Sequence, residues 1–427
     1  MDIFEVKGGN RLKGEVEISG AKNSALKIMA ASILAGGKTK LKNVPEIEDV
    51  KTMIEVLKGL NVKVSTDWEK DTIEIDPGDI DCLEAPYELV RKMRASVLVA
   101  GPLLSRFGEV KIAIPGGCNI GARQIDLHLK GFEELGSKNL LEHGYITCVA
   151  KDSSTKRLKG NDIELDFPSR GATENLMMAA SLAKGKTVIK NAAREAEIAD
   201  LASYLNKAGA QISGAGTDSI TITGQEKLEG AEFDIMPDSI EAGTFLTAGA
   251  LCSDGLVVKN AIWKNIEVFC NKLIEIGIDI EKIDEATIRI SNDGFERLKP
   301  VYISTLPFPG FPTDLQPIIT VLLSLVGGTS IVTENVFENR FMYVEELNRM
   351  GANIKIEDHH AVVNGVKNLS AAPVKAFDLR AGAAMVLAGL VAEGTTEISD
   401  VYHIQRGYED FVSKLLKIGA DIKEKDK

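Results

Sequence analysis

A chain of 427 residues is longer than one hydrophobic core usually supports, so two domains are expected. Hydrophobic residues at 44% and charged residues at 26% describe a globular chain, and no apolar run reaches the roughly 18 residues of a membrane span. The net charge of -12 speaks against nucleic-acid binding, which needs a basic face to displace phosphate counterions, so an anionic ligand must be met by a local cluster of Lys and Arg. The five cysteines, at 82, 118, 148, 252 and 270, form no Cys-x-x-Cys pair, and the five histidines form no HxH or HxxxH set. Reduced thiols, no metal and no cofactor are expected, and the adjacent His359-His360 reads as a polar turn. The start Met1-Asp2-Ile3-Phe4-Glu5-Val6 lacks a basic, apolar leader, which points to a cytoplasmic location.

Along the chain the predicted elements fall into one unit that recurs six times. A helix ending at Gly or Asn and followed by a short strand appears around Asn61, Gly136, Gly209, Gly277, Gly351 and Gly419, at intervals of 75, 73, 68, 74 and 68 residues. Each is a helix C-cap of the kind that uses the left-handed conformation. A second mark, a small-residue apolar helix followed by Gly and a β-rich run, recurs at Gly37, Gly108, Gly185, Gly255, Gly328 and Gly394. Each unit reads as strand, apolar helix, strand, amphipathic helix and two strands. Residues 176–183 and 383–392 are apolar nearly all round, as buried helices are, whereas 197–207 and 266–276 have the spacing of helices with one wet face. The fold class predicted is α/β, with helices inside, sheets outside and three units per domain, and a break near Ile235-Met236-Pro237.

The starts of the apolar helices fall at Lys22, Arg94, Arg170, Glu241, Asp314 and Arg380, all charged. The amphipathic helices begin near Asp49, Arg123, Arg194 with Glu195, Lys264, Arg340 and Arg406. Asp49, Glu241 and Asp314 can be read as capping residues. Arginine and lysine cannot, because a cation opposes the positive end of the helix dipole unless an anion compensates it. Helix N-termini joined to cationic side chains make a phosphate or carboxylate site. The loop Pro115-Gly116-Gly117-Cys118-Asn119-Ile120-Gly121-Ala122-Arg123 adds a thiol held near positive charge, able to act as an acid, base or nucleophile.

The segments Ser19-Gly20-Ala21-Lys22-Asn23, Met93-Arg94-Ala95-Ser96, Pro115 to Cys118, Gly121-Ala122-Arg123, Phe311-Pro312-Thr313-Asp314, Phe337-Glu338-Asn339-Arg340-Phe341-Met342, Asp378-Leu379-Arg380 and Arg406-Gly407-Tyr408-Glu409 resemble the UDP-N-acetylglucosamine enolpyruvyl transferase family over essentially the full length. The resemblance implies the two-domain inside-out α/β barrel of that family, with residues 22–236 forming one domain and 1–21 with 237–427 the other. It implies transfer of the enolpyruvyl group of phosphoenolpyruvate to a sugar 3-hydroxyl, with small-molecule substrates and neither nucleic acid nor membrane as partner. Cys118 would protonate the methylene carbon, Asp314 would take the hydroxyl proton, and Asp378 would orient neighbours or assist proton transfer. Lys22, Arg123 and Arg406 would hold phosphoenolpyruvate, with Arg94, Arg340 and Arg380 lining the same site. Asn23, Gln124, Ile125, Asp126, Leu127, Ser169, Arg170, Gly171, Glu195, Asp314 and Val336 would surround the UDP-sugar. Gln124, Arg170 and Phe308 depart from the family's usual proline, small apolar residue and histidine. An acceptor other than UDP-N-acetylglucosamine, on the same chemistry, is the alternative these departures leave open.

Overall fold

The computed structural model describes residues 3–78, 80–85, 87–114 and 125–425. They divide into two compact units, one built from the chain up to Ser19 together with everything from Pro237 on, the other from the described residues between Gly20 and Met236. The first crossing between units thus falls after Ser19, two residues before the position expected from sequence.

Each unit carries three sheets, and the same pairing scheme recurs in them. A short leading strand runs parallel to a central strand, which is continued by an antiparallel hairpin. Asp162–Glu164 pairs in parallel with Lys186–Lys190, which takes Ser219–Thr223 and then Gln211–Ser213. Glu15–Glu17 leads Leu256–Lys259, and Tyr302–Ser304 leads Thr329–Thr333, in the same way. Besides the sheet in which Glu15–Glu17 leads Leu256–Lys259, two more are completed by strands far apart in sequence: Glu232–Asp234 leads Thr39–Lys42, and Ile3–Lys7 lies between Thr395–Ser399 and Asp421–Lys425. In the three-stranded sheet the leading strand is reduced to the bridge between Glu84 and Lys111.

These strands bury alternate residues, as in Ser219–Thr223, where Ile220 and Ile222 are buried between exposed Ser219 and Thr223, because side chains of a half-covered strand alternate between core and solvent. The helices they cover are apolar on all sides. Ser239–Cys252 and Leu379–Val391 bury nearly every residue, one core forms in each unit, and helices lie inside with sheets outside. Trp263–Ile276 instead buries a single stripe, Ile266, Phe269, Cys270, Leu273 and Ile276. All six expected helix C-caps, Asn61 and the five glycines, have φ between 68° and 108°. His359-His360 lies at the turn between Asn353–Glu357 and His360–Asn364.

A third repeated feature escaped the sequence reading. The residue after the central strand is left-handed in four repeats, Asn43, Asn191, Asn260 and Asp400, with φ between 52° and 58°. The three Asn amides donate back to the residue that follows the leading strand: to the carbonyl of Ile235 at 2.8 Å, Leu165 at 2.7 Å and Ile18 at 3.4 Å. Asparagine tolerates this conformation and supplies the donor that closes the strand pair.

Candidate active site

In the unit that runs from Pro237 on, Asp314 lies in the 3-10 turn Thr313–Leu315 leading into the buried helix Gln316–Leu323. Its Oδ1 accepts a hydrogen bond from Nη2 of Arg340 at 3.1 Å, and its Oδ2 is 3.6 Å from Nη2 of Arg380. The guanidiniums are 2% and 3% exposed and the carboxylate 26%, so the carboxylate is the member of the trio that a substrate can reach. Among the described residues, Nε of Arg340 and both Nε and Nη1 of Arg380 find no hydrogen-bond partner. Burial opposes the charge of Arg380, but Tyr408, Asp314 and Asp238 outweigh it and its pKa is raised.

Asp378 is the N-cap of Leu379–Val391, its Oδ1 accepting from the backbone N–H groups of Arg380 at 2.8 Å and Ala381 at 3.0 Å, so it fixes the helix end that presents Arg380. Arg406 follows the short helix Tyr402–Gln405, where burial, and after it the charge of Arg406, lowers the pKa of His403. The N–H of Val336 is held by Glu334 at 2.8 Å. Glu241 is no cap: Asp238 caps Ser239–Cys252, and Glu241 instead accepts from the N–H of Ser19 at 2.9 Å and from Lys414 at 2.6 Å.

In the other unit Lys22 opens the helix Lys22–Ala31, with its Nζ 2.6 Å from Asp49, and half-buried Asn23 follows. Asp49 is the second residue of Glu48–Gly59 and makes no cap; it is the anion that allows Lys22 at a helix start. Ser169 caps Arg170–Ala180, its side chain accepting from the N–H of Ala172 at 3.3 Å. Nε of Arg170 is 3.5 Å from Glu195 and Nη1 is 3.5 Å from Glu197, so the guanidinium at this helix start already faces two carboxylates. A Cβ at Gly171 would lie 3.4 Å from the His128 ring, which places Ser169 to Gly171 against the helix Asp126–Glu134. Ile125 precedes that helix, and Asp126 and Leu127 are its first two residues. Arg94 opens the 3-10 helix Arg94–Val99. Cys118, Arg123 and Gln124 lie outside the described residues.

Sequence reasoning missed a buried pair behind Arg170. Nζ of Lys27 is 3.6 Å from Glu174, on facing helices, with both residues almost wholly buried. Burial pushes the Glu174 carboxyl up to about 7 against the pull of Lys27 and Arg170, and burial likewise lowers the pKa of Lys27. Each helix already carries polar residues at its start, Lys22, Asn23 and Ser24 in one and Arg170, Thr173 and Asn175 in the other, so one more charge gives no periodic signal. Among the described residues no group of His, Cys, Asp and Glu could hold a metal ion, and no helix is long and apolar enough to cross a membrane.

Six sheets around buried helices, with cations gathered at helix starts, define the enolpyruvyl transferase fold. The solved structure of the enolpyruvyl transferase NikO from Streptomyces tendae matches it with a TM-score of 0.89 at 25% identity, covering 99% of this chain and 98% of that one. EPSP synthase from Acinetobacter baumannii has the same fold, with a TM-score of 0.75 at 17% identity over both whole chains. The sequence profile of EPSP synthase (3-phosphoshikimate 1-carboxyvinyltransferase) matches residues 6–415, and the chain belongs to that family. Within it, UDP-N-acetylglucosamine 1-carboxyvinyltransferase 2 of Carboxydothermus hydrogenoformans is 53% identical over 423 residues, 99% of each chain. UDP-N-acetylglucosamine 1-carboxyvinyltransferase 1 of Staphylococcus aureus strain MRSA252 is 52% identical over 423 residues, again 99% of each.

Proposed function

We propose that this chain transfers the enolpyruvyl group of phosphoenolpyruvate to the 3-hydroxyl of UDP-N-acetylglucosamine and releases phosphate, the first committed step of peptidoglycan synthesis, in the cytoplasm. The observation that carries the reading is the Asp314 carboxylate held between buried Arg340 and Arg380 at a helix start. The full-length relatives named for this reaction support it. In this reading Asp314 takes the hydroxyl proton as the sugar oxygen bonds to C2 of phosphoenolpyruvate, while the Cys118 thiol gives a proton to the methylene carbon. The tetrahedral ketal then returns a proton from the new methyl group to the Cys118 thiolate as the bond from C2 to the phosphate oxygen breaks, and the phosphate leaves with the proton that Asp314 had taken. Lys22, Arg123 and Arg406 hold the phosphate and carboxylate of phosphoenolpyruvate, and Arg94, Arg340 and Arg380 line the site, so cations already in place stabilise the leaving phosphate. Asn23, residues 123–127, Ser169 to Gly171, Glu195 and Val336 hold the UDP-sugar, and Asp378 keeps Arg380 in place.

The test is phosphate release from phosphoenolpyruvate with a panel of nucleotide sugars. Release with UDP-N-acetylglucosamine is expected. Release only with another nucleotide acceptor would move the specificity to the alternative that Gln124, Arg170 and Phe308 leave open, and no release with any acceptor would overturn the chemistry.

A further inference from the structure

Two repeats lack the left-handed residue after the central strand, at Ile114 and at Glu334, and the second of them closes its strand pair in another way. One residue beyond the paired rows Asp234↔Lys42, Glu164↔Lys190, Glu17↔Lys259 and Lys375↔Ser399 stand the left-handed Asn43, Asn191, Asn260 and Asp400. One residue beyond Ser304↔Thr333 stands Glu334, which is not in the left-handed set of the described residues. The closing donor has moved one position on: Nδ2 of Asn335 donates to the Thr305 carbonyl at 3.1 Å. Closure of the strand pair is therefore satisfied without Glu334, and the repeat makes no demand for a carboxylate here.

Glu334 is nevertheless 4% exposed and fully engaged. Its Oε1 accepts from Oγ1 of Thr305 at 2.8 Å and from the N–H groups of Val336 at 2.8 Å and Phe337 at 3.1 Å. Its Oε2 accepts from Oγ1 of Thr313 at 2.9 Å. Thr313 immediately precedes Asp314 and opens the same 3-10 turn. One buried carboxylate thus ties the turn that carries Asp314 to the loop that carries Val336, two segments otherwise separated by a helix and a strand. We propose that Glu334 is a positioning residue that sets the Asp314 carboxylate at a fixed distance from the Val336 loop, and so aligns the acceptor hydroxyl with its base. This rests on the function proposed above. The two anchors lie on the acceptor side of that reading, so loss of Glu334 acts on the acceptor and on turnover and spares phosphoenolpyruvate.

The experiment uses the full chain and whichever acceptor of the panel the parent turns over. A parent inert with every acceptor removes the functional reading and this proposal with it, whereas an active parent isolates the question. Thr313→Val cuts only the Oε2 arm with little change in shape. It should lower kcat roughly ten- to a hundredfold, the loss expected from one hydrogen bond to a carboxylate, with the KM for phosphoenolpyruvate within about twofold of the parent. Thr313→Ser should restore turnover. Glu334→Gln, whose carbonyl oxygen can still take the three bonds to Oε1, should lose less than Glu334→Ala and raise the KM for the acceptor alone. Rates are normalised to the folded fraction from near-UV circular dichroism, so a variant that merely unfolds regains its parent rate on normalisation. That outcome, an unchanged kcat in Thr313→Val, or an equal rise in both KM values would each overturn the proposal.

Discussion

The buried Lys27–Glu174 pair allows a prediction whose sign and slope follow from the structure. In the parent, burial holds the Glu174 carboxyl at about 7, above the ordinary 4.5, so between these values the folded state keeps a proton that the unfolded chain has lost. The contribution of Glu174 to stability therefore falls as pH rises through that window, by about 3 kcal/mol in total at ~1.4 kcal/mol per pK unit. Lys27→Met removes the cation 3.6 Å away and leaves burial unopposed by it, so the carboxyl stays protonated to higher pH. Above pH 7 the variant alone then retains a proton in the folded state, and its deficit grows by ~1.4 kcal/mol for each pH unit. By pH 8.5 the added loss is about 2 kcal/mol, whereas at pH 6 both folded forms carry the proton and the titration adds nothing. Replacing both partners, Lys27→Met with Glu174→Met, leaves no buried charge and should recover the parent stability to within about 1 kcal/mol. Urea unfolding at pH 6.0, 7.0 and 8.5 measures this directly. A deficit in Lys27→Met that stays constant across the three pH values, or a double variant no better than the single one, would refute it.

Arg170 is among the residues proposed to hold the UDP-sugar and also faces Glu195 and Glu197, so Arg170→Val should lower Tm and weaken UDP-sugar binding roughly ten- to a hundredfold; an affinity within about twofold of the parent by titration calorimetry would leave Arg170 paired to those carboxylates alone. Asp314→Asn should cost roughly 10²–10⁴ in kcat, as loss of a general base does. It should also lower Tm, because Arg340 and Arg380 lose their shared carboxylate; turnover near the parent value would remove Asp314 from the chemistry. Cys118 should be the first thiol alkylated by an epoxide such as fosfomycin, since burial pushes Cys148, Cys252 and Cys270 up to about 12, and peptide mapping that finds one of those three modified first would count against the reactive loop. Cys118→Asp should keep turnover and lose that labelling, while Cys118→Ser should lose most turnover.

What could be read from sequence was what repeats or what opposes a helix dipole. Six C-caps and six charged helix starts were visible because each obeys a local rule, and the rule that a cation at a helix start needs an anion is met at Lys22 by Asp49 and at Arg170 by Glu195 and Glu197. For Lys22 the anion could not be read, since Asp49, like Glu241, looks like a cap until the chain brings Lys22 and Lys414 to them. The closing role of Asn43, Asn191 and Asn260 was hidden for a different reason: each is a single polar residue whose partner, Ile235, Leu165 or Ile18, comes from the leading strand of another stretch of chain. Glu334 was invisible for the same reason, as its value depends on Thr305 and Thr313 arriving from elsewhere.

The placement of Ile3–Lys7 between Thr395–Ser399 and Asp421–Lys425 governs the order in which a ribosome can deliver the fold. Phe4 pairs with Ile398 and Glu424, so this strand has no neighbours until residues 395–425 have been made. At ~5–20 residues per second that interval is about 20 to 80 s, during which the unit that ends at Met236 can already be complete. Through that time Ile3–Lys7 is a strand without partners, the state in which a nascent chain is most exposed to pairing with a neighbour on the same messenger, whereas Glu15–Glu17 waits only for Leu256–Lys259. A fusion that delays release of the C-terminus therefore lengthens the exposure of the N-terminus, although the two ends are more than four hundred residues apart.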